Sequence, residues 1–442
     1  MPRPRHPDRP RGHWAEHVLA ATLDGLRASL SADMPSGGLR EYWLWGLAPD
    51  CPVHADFVQA IGARQLCRLT ATLLDGLVSD ADWPELTRLA VTMNVYQLYE
   101  IISDNLGIGA VHPPPGQPAQ QLPVLRFFNI AMVSALEGAS VSAAQLLGPV
   151  ERPAHRLSGF AHSLAGPAHR RMAGTFSAVA GRPAINNVEY GLWPALVANI
   201  VAAAAVADRV GQLAIGPVLR DGLVNRYLAV NRTLIGPHLP LFELATVGAH
   251  AILVAPTLCF YVGALGELLH PDPGFAGCIE DGTLPDALCD AALLVRLLND
   301  VGPGLLTCPV AVRLELLGRL RAAYARDPAS FPDVRALLLS NALPETVLTR
   351  LRKDAQHGEF NVALYGARHA HSVPAALDSL GKALEYFATL YAVHALRLST
   401  GLAELSLRLG DSRPLTLVHR FVRFHQDLYA HPYTDASGEY AV

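Results

Sequence analysis

The run at 290–307, DAALLVRLLNDVGPGLLT, limits the fold of this chain more than any other stretch. Leu293, Leu294, Leu297 and Leu298 recur at spacings of three and four, the stripe of a buried helix. The same run then turns polar. Arg296 and Asp300 stand four apart on one helical face, Asn299 lies beside them, and Gly302, Pro303 and Gly304 end or distort the helix. A carboxylate and a carboxamide on so apolar a helix need partners if they are buried. A hard cation with oxygen ligands is one partner, and water at an exposed helix end is another.

Helical periodicity extends along the chain. The spacing predicts helices at 14–30, 55–78, 82–106, 124–147, 154–180, 187–212, 217–230, 241–268, 284–300, 309–326, 334–340, 344–370, 374–408 and 414–429. No strand-period segment of any length stands out, and no internal repeat. With 51% hydrophobic and 17% charged residues, a large core is available. The expected fold class is all-α: one helical domain over 14–431, between a basic, proline-rich tail at 1–13 and a C-terminal tail at 432–442. The first tail lacks the apolar core of a signal peptide. Residues 246–266 are long enough to span a membrane, but Pro256, His250 and the lack of other such runs favour a buried core helix. A net charge of −4 and a pI near 6.5 argue against a nucleic-acid surface. Six cysteines are scattered without a CxxC pair, which indicates neither a zinc site nor a disulfide framework, and a reducing cytoplasm is the default.

A second polar interruption lies at 89–107, LAVTMNVYQLYEIISDNLG. Val91, Val95, Leu98 and Ile102 supply an apolar face. Glu100 and Asp104, four apart, are neighbours that repel one another. A divalent cation between them would relieve that repulsion. A carboxylate-bearing helix here and an Asn-Asp-bearing helix two hundred residues later suggest two helices facing across a cavity.

This pair resembles the two metal-binding motifs of class I terpene synthases. EIISD matches the aspartate-rich motif with Glu100 first and Asp104 last, and Ile101 stands where the family has a middle acid. LLNDVGPGLLT matches the start of the second motif at Asn299 and Asp300, with Pro303 at the hydroxyl position and Thr307 at the acid position. The resemblance implies a helical bundle around a central apolar cavity and a substrate-bridged set of three Mg²⁺ ions. It implies a lyase of isoprenoid secondary metabolism that ionises a linear prenyl diphosphate, C15 or C20 favoured, and cyclises the carbocation to a terpene hydrocarbon or alcohol. Glu100, Asp104, Asn299 and Asp300 would carry catalysis and hold metal, with Glu359 or Asn361 replacing the oxygen missing at Thr307.

Other residues are candidates for the remaining roles. Arg170, Arg171, Arg232 and Arg296 could bind diphosphate, because a guanidinium fork matches phosphate oxygens. In the family an arginine upstream of the second motif senses the diphosphate, and the segment from Tyr227 to Arg232, preceded by Arg226, resembles it. Phe127, Phe128, Tyr190, Trp193, Phe260 and Tyr261 could line a cavity, since aromatic faces stabilise cations. The loop at 108–123 could cover its mouth. Asp354, His357, Glu359, Asn361, His369 and His371 crowd one polar segment, and Asp354 and Asn361 would share a helix face. Three alternatives stay open: a prenyltransferase on the same helical core, a metal oxygenase using Glu100 or Asp104 with Glu359, His369 and His371, and a non-catalytic helical binding protein. The expected partner is a small prenyl diphosphate, with no nucleic acid and no integral membrane span; a homodimer is left open.

Overall fold

The computed structural model describes residues 12–109, 120–161, 163, 165–179, 181, 184–235, 239–340 and 346–431. Among the described residues the chain is all-α, with no strand and one isolated bridge between Ser158 and Tyr190. Six helices position the candidate site: α1 (Trp83–Asp104), α2 (Trp193–Arg209), α3 (Gly216–Ile235), α4 (Thr283–Asp300), α5 (Thr349–His357) and α6 (Val373–Arg408). The tail expected at 432–442 and most of that at 1–13 lie outside the described residues, as does the centre of the loop expected at 108–123.

The helix α4 is the strut of the molecule. Leu294 and Val295 sit in one apolar cluster, while Leu293, Leu297 and Leu298 sit in a second. Apolar residues nearly all round the helix therefore reflect burial on two sides. It opens after Gly282 and closes at Gly302, both at positive φ, with Pro303 barring continuation. The helix α2 packs along α1, and its buried Ala198, Ala202 and Ala203 permit close approach.

Several expected helices are broken. The span 55–78 divides into His54–Ala60 and Ala63–Leu74, because Gly62 adopts φ 76° between them. The span 344–370 ends as a helix at His357, where Gly358 takes φ 63° and turns the chain into an irregular segment before Tyr365–Arg368. The span 124–147 becomes Gln121–Leu136 and Ala143–Leu146, 154–180 keeps only Gly166–Val179 as a long helix, and 187–212 becomes Ile185–Glu189 and α2. The span 241–268 breaks after His250. No single described helix is long and apolar enough to cross a membrane; Leu241–His250 and Val254–Leu269 pass together by length and composition but bend by 47°. In this structure Val254 to Gly263 is nearly all buried.

Aromatic packing near the N-terminus requires one glycine. A Cβ on Gly46 would lie 2.4–2.7 Å from carbons of the fully buried Phe57 ring. That ring stands edge-on to Tyr42 and Trp43 and has no room to retreat. Gly46→Ala is expected to cost about 1–3 kcal/mol of stability by overpacking. Urea unfolding would measure it, and an unchanged midpoint would show that Phe57 can move.

Candidate functional site

The first polar cluster is built on α1. Glu100 and Ser103 are buried, whereas Asp104, at the last turn, exposes 72% of its side chain. The cation between the two carboxylates is a guanidinium from α3. Arg226 Nη2 lies 2.8 Å from Glu100 Oε1 and 3.0 Å from Asp104 Oδ1. Tyr227 Oη donates to Glu100 Oε2 at 2.8 Å, and Asn199 Nδ2, from α2, reaches the same oxygen at 3.1 Å. Tyr96 closes the network through Tyr227 at 2.8 Å. Burial raises the Glu100 carboxyl above its ordinary range, opposed by the Arg226 charge; the same carboxylates hold Arg226 firmly protonated against its own burial. We regard Glu100 and Arg226 as an ion pair, because two further donors also point at the carboxylate.

The second cluster surrounds the end of α4. Asp300 is fully buried. Its Oδ2 accepts from Arg296 Nε at 2.9 Å and from the Val362 backbone N–H at 2.8 Å, while Oδ1 accepts from Asn299 at 3.0 Å. Asn299 is held in turn by Arg350, whose Nε donates to its carbonyl at 2.7 Å. Asn361 Nδ2 bonds both the Asp300 carbonyl at 2.8 Å and Asp354 Oδ2 at 2.7 Å. Asp354 and Asn361 thus meet as expected, but around the bend at Gly358 rather than along one helix. Asp300 pins the segment after Gly358 to α4.

The two clusters meet through that segment. The Gly109 N–H, just past α1, donates to the His357 carbonyl at 2.9 Å. Glu359 carries Lys353 at 2.5 Å and accepts Arg368 at its backbone carbonyl. Its carboxyl is raised first by burial, with the charges of Asp354 and Asp104 adding to that and Lys353 opposing it. Burial lowers Arg368 to about 10. Two buried charged atoms here have no hydrogen-bond partner, Glu359 Oε1 and Arg368 Nη1, while Asp354 Oδ1 is met by the Lys353 ammonium at 3.1 Å.

A divalent cation fits these residues only in part. The oxygens of Glu100 and Asp300 are engaged by arginine and neutral donors, so as arranged they do not fit as ligands. Asp104 is exposed, and Glu359 keeps one buried oxygen, Oε1, without a hydrogen-bond partner while the other pairs with Lys353, so these two are the carboxylates left to fit. Among the described residues no group of three or more His, Cys, Asp or Glu side chains is arranged to hold a metal.

The other expected residues are dispersed. Arg170 pairs with Glu189 and Arg232 with Glu243, both at the surface, Arg171 is exposed, and Arg296 is committed to Asp300. The arginine that does sit between the carboxylates is Arg226. Among the aromatics, Phe128 stands edge-on to Tyr227, Phe260 to Tyr261, Trp193 lies against His155, and Tyr190 is 48% exposed. They do not form one wall. Of the histidines, His369 is exposed against Tyr365 and His371 is exposed, so neither joins Glu100. Two small pockets flank α1. One of about 40 Å³ is lined by Trp43, Ile61, Leu98, Ile102, Phe160 and His169. The other, of about 30 Å³, is lined by Glu100, Ser103, Asp104, Asn129 and Arg226 among others.

Comparison with known protein families, curated proteins and solved structures finds no match to this chain.

Proposed function

We propose that this chain is a metal-dependent terpene cyclase acting on a linear prenyl diphosphate, C15 or C20 favoured, with the diphosphate bound where α1 meets the segment after Gly358. One observation carries the proposal. Asp104 and Glu359, 255 residues apart in sequence by their numbers, stand on two segments joined by the 2.9 Å bond from the Gly109 N–H to the His357 carbonyl, with Arg226 on Asp104 and with Lys353 and Arg368 on Glu359. That is a set of mixed charge in which one exposed carboxylate, Asp104, stands before largely buried cations, suited to a polyanion that arrives with its own metal.

Asp104 and Glu359 would hold Mg²⁺, which when bound supplies positive charge to a departing diphosphate. Arg226 would orient the same group, and its protonation is secured by its carboxylates. Glu100 and Asp300 act behind this surface: the first holds Arg226, and the second fixes the segment that presents Glu359.

A second reading, a non-catalytic helical protein, is favoured by the pockets. Volumes of about 40 and 30 Å³ are far below the ~300 Å³ at which ligand pockets begin. A cyclase would have to open further around α1.

Incubation with C10, C15, C20 and C25 prenyl diphosphates, with Mg²⁺ and with EDTA, separates the readings. A cyclic product is expected only with Mg²⁺. Asp104→Ala should abolish it without altering stability, and Glu359→Gln should reduce it at least ~10-fold, the effect of about 1.4 kcal/mol. Intact diphosphate under every condition would leave the second reading.

A further inference from the structure

The second half of α6 has two opposite apolar stripes. Tyr391, Ala395, Leu398, Leu402 and Leu405 turn inward against the core. On the other side Val393, Leu396, Thr400, Ala403 and Leu407 all face solvent, with Leu396 70% and Leu407 88% exposed. The spacing of this outer stripe, alternately three and four residues, is that of a coiled-coil seam. A surface helix with one apolar face belongs against a core; this one has a second face with no cover among the described residues.

The flanks of the seam say what covers it. By helical position Arg397 and Glu404 border one side, and Ala392, Ser399 and Ser406 border the other. When two copies of the helix run antiparallel about Thr400, each copy's Val393 comes opposite the other's Leu407. Arg397 of one copy then stands against Glu404 of the other, twice by symmetry. Parallel pairing would instead set this charged flank of each copy against the other's Ala392, Ser399 and Ser406 and leave both charges without a partner across the seam. The opposite flank of Ala and Ser is small enough for the two backbones to approach. Arg397 remains 54% exposed although it also reaches Asp290 at 3.5 Å, so its guanidinium is accessible to a neighbour. A face complementary to itself under a two-fold axis is what an isologous dimer requires.

We propose that the outer face of α6 is a homodimer interface whose occupant is a second copy of this chain, packed antiparallel through Val393, Leu396, Thr400, Ala403 and Leu407. This proposal does not depend on the catalytic one. A seam of five residues is short, which places the contact among weak, transient interfaces.

Sedimentation velocity of the full chain over roughly 1–200 µM, concentrations at which a micromolar association is read, tests it. The expected result is a dimer fraction that rises with concentration. Leu396→Glu should leave only monomer, and Glu404→Arg should weaken dimerisation at least ~10-fold. Both positions are exposed, so each variant should melt at the wild-type temperature. If Leu396→Glu does not, Leu407→Glu takes its place in the same measurement. A wild-type monomer at the highest concentration would overturn the proposal, as would a dimer that persists in Leu396→Glu. A dimer unaffected by Glu404→Arg would overturn the antiparallel register.

Discussion

Arg226→Met is expected to destabilise the protein by about 3–5 kcal/mol, the largest effect of any single substitution proposed for this chain. The reason is the carboxylate left behind. Glu100 is 4% exposed, and its opposing charge is supplied by Arg226 at 2.8 Å. Methionine fills similar space but supplies no charge, so Glu100 must stay ionised in an apolar setting or take up a proton. Tyr227 and Asn199 still donate to it, which keeps the cost finite. A second substitution distinguishes lost charge from lost packing. Adding Glu100→Gln removes the uncompensated carboxylate and should recover more than half of the loss, because removal of both members of a buried pair is far less costly than removal of one. Urea unfolding of the single and double variants reads this directly. A single-variant cost below about 1 kcal/mol would mean the pair is solvated, contrary to its burial.

The same residues show where sequence is informative. The helix α4 is legible because a stripe at spacings of three and four is a local property, and Gly302-Pro303 ends it by local chemistry. The spacing of Glu100 and Asp104 is equally legible, and so is their need for a positive partner. The identity of that partner is not: Arg226 lies 126 residues from Glu100, and helix periodicity carries no information about which helix packs on which. A divalent ion and an arginine relieve the same repulsion, and nothing within 89–107 separates them. The segment after Gly358 escapes for a related reason. Helical spacing on both sides suggests one continuous helix, while the turn is made by a single glycine and is stabilised from outside by Asp300 and Asn361. The signal available in the sequence was the Gly358 itself, placed after His357 where a helix C-terminus would fall. Arg170 and Arg232 illustrate the converse: each has a nearby carboxylate, Glu189 and Glu243, that answers it at the surface.

Acidification supplies the second large effect. His169 and His425 are both buried, and burial lowers each imidazole to about 4. The neutral ring is well satisfied in both places. His169 Nδ1 meets the Tyr42 hydroxyl at 3.0 Å, and the ring stacks on Phe160. His425 Nδ1 donates to the Phe421 carbonyl at 2.8 Å, and its ring lies on the Phe421 side chain. In the unfolded chain both titrate near 6.5. Above that pH neither state binds the proton and the two groups contribute nothing to pH dependence. As pH falls through 6.5 the unfolded chain gains protons that the native state refuses, so stability is lost, until the native rings themselves protonate near 4. Each histidine's slope approaches about 1.4 kcal/mol per pH unit once the unfolded ring is protonated, so the two together cost roughly 3 kcal/mol between pH 6.5 and 5. Glu100, Asp300 and Glu359 act in the opposite sense, because a raised carboxyl takes up a proton in the native state first and gains stability as pH falls. The histidine contribution is therefore read by difference. Unfolding free energies of the wild type and of His169→Gln/His425→Gln, measured from pH 7 to 5, should converge as pH falls, since the variant lacks the two acid-sensitive groups. Parallel curves would show that the rings protonate in place, and that the native state admits charge at both positions.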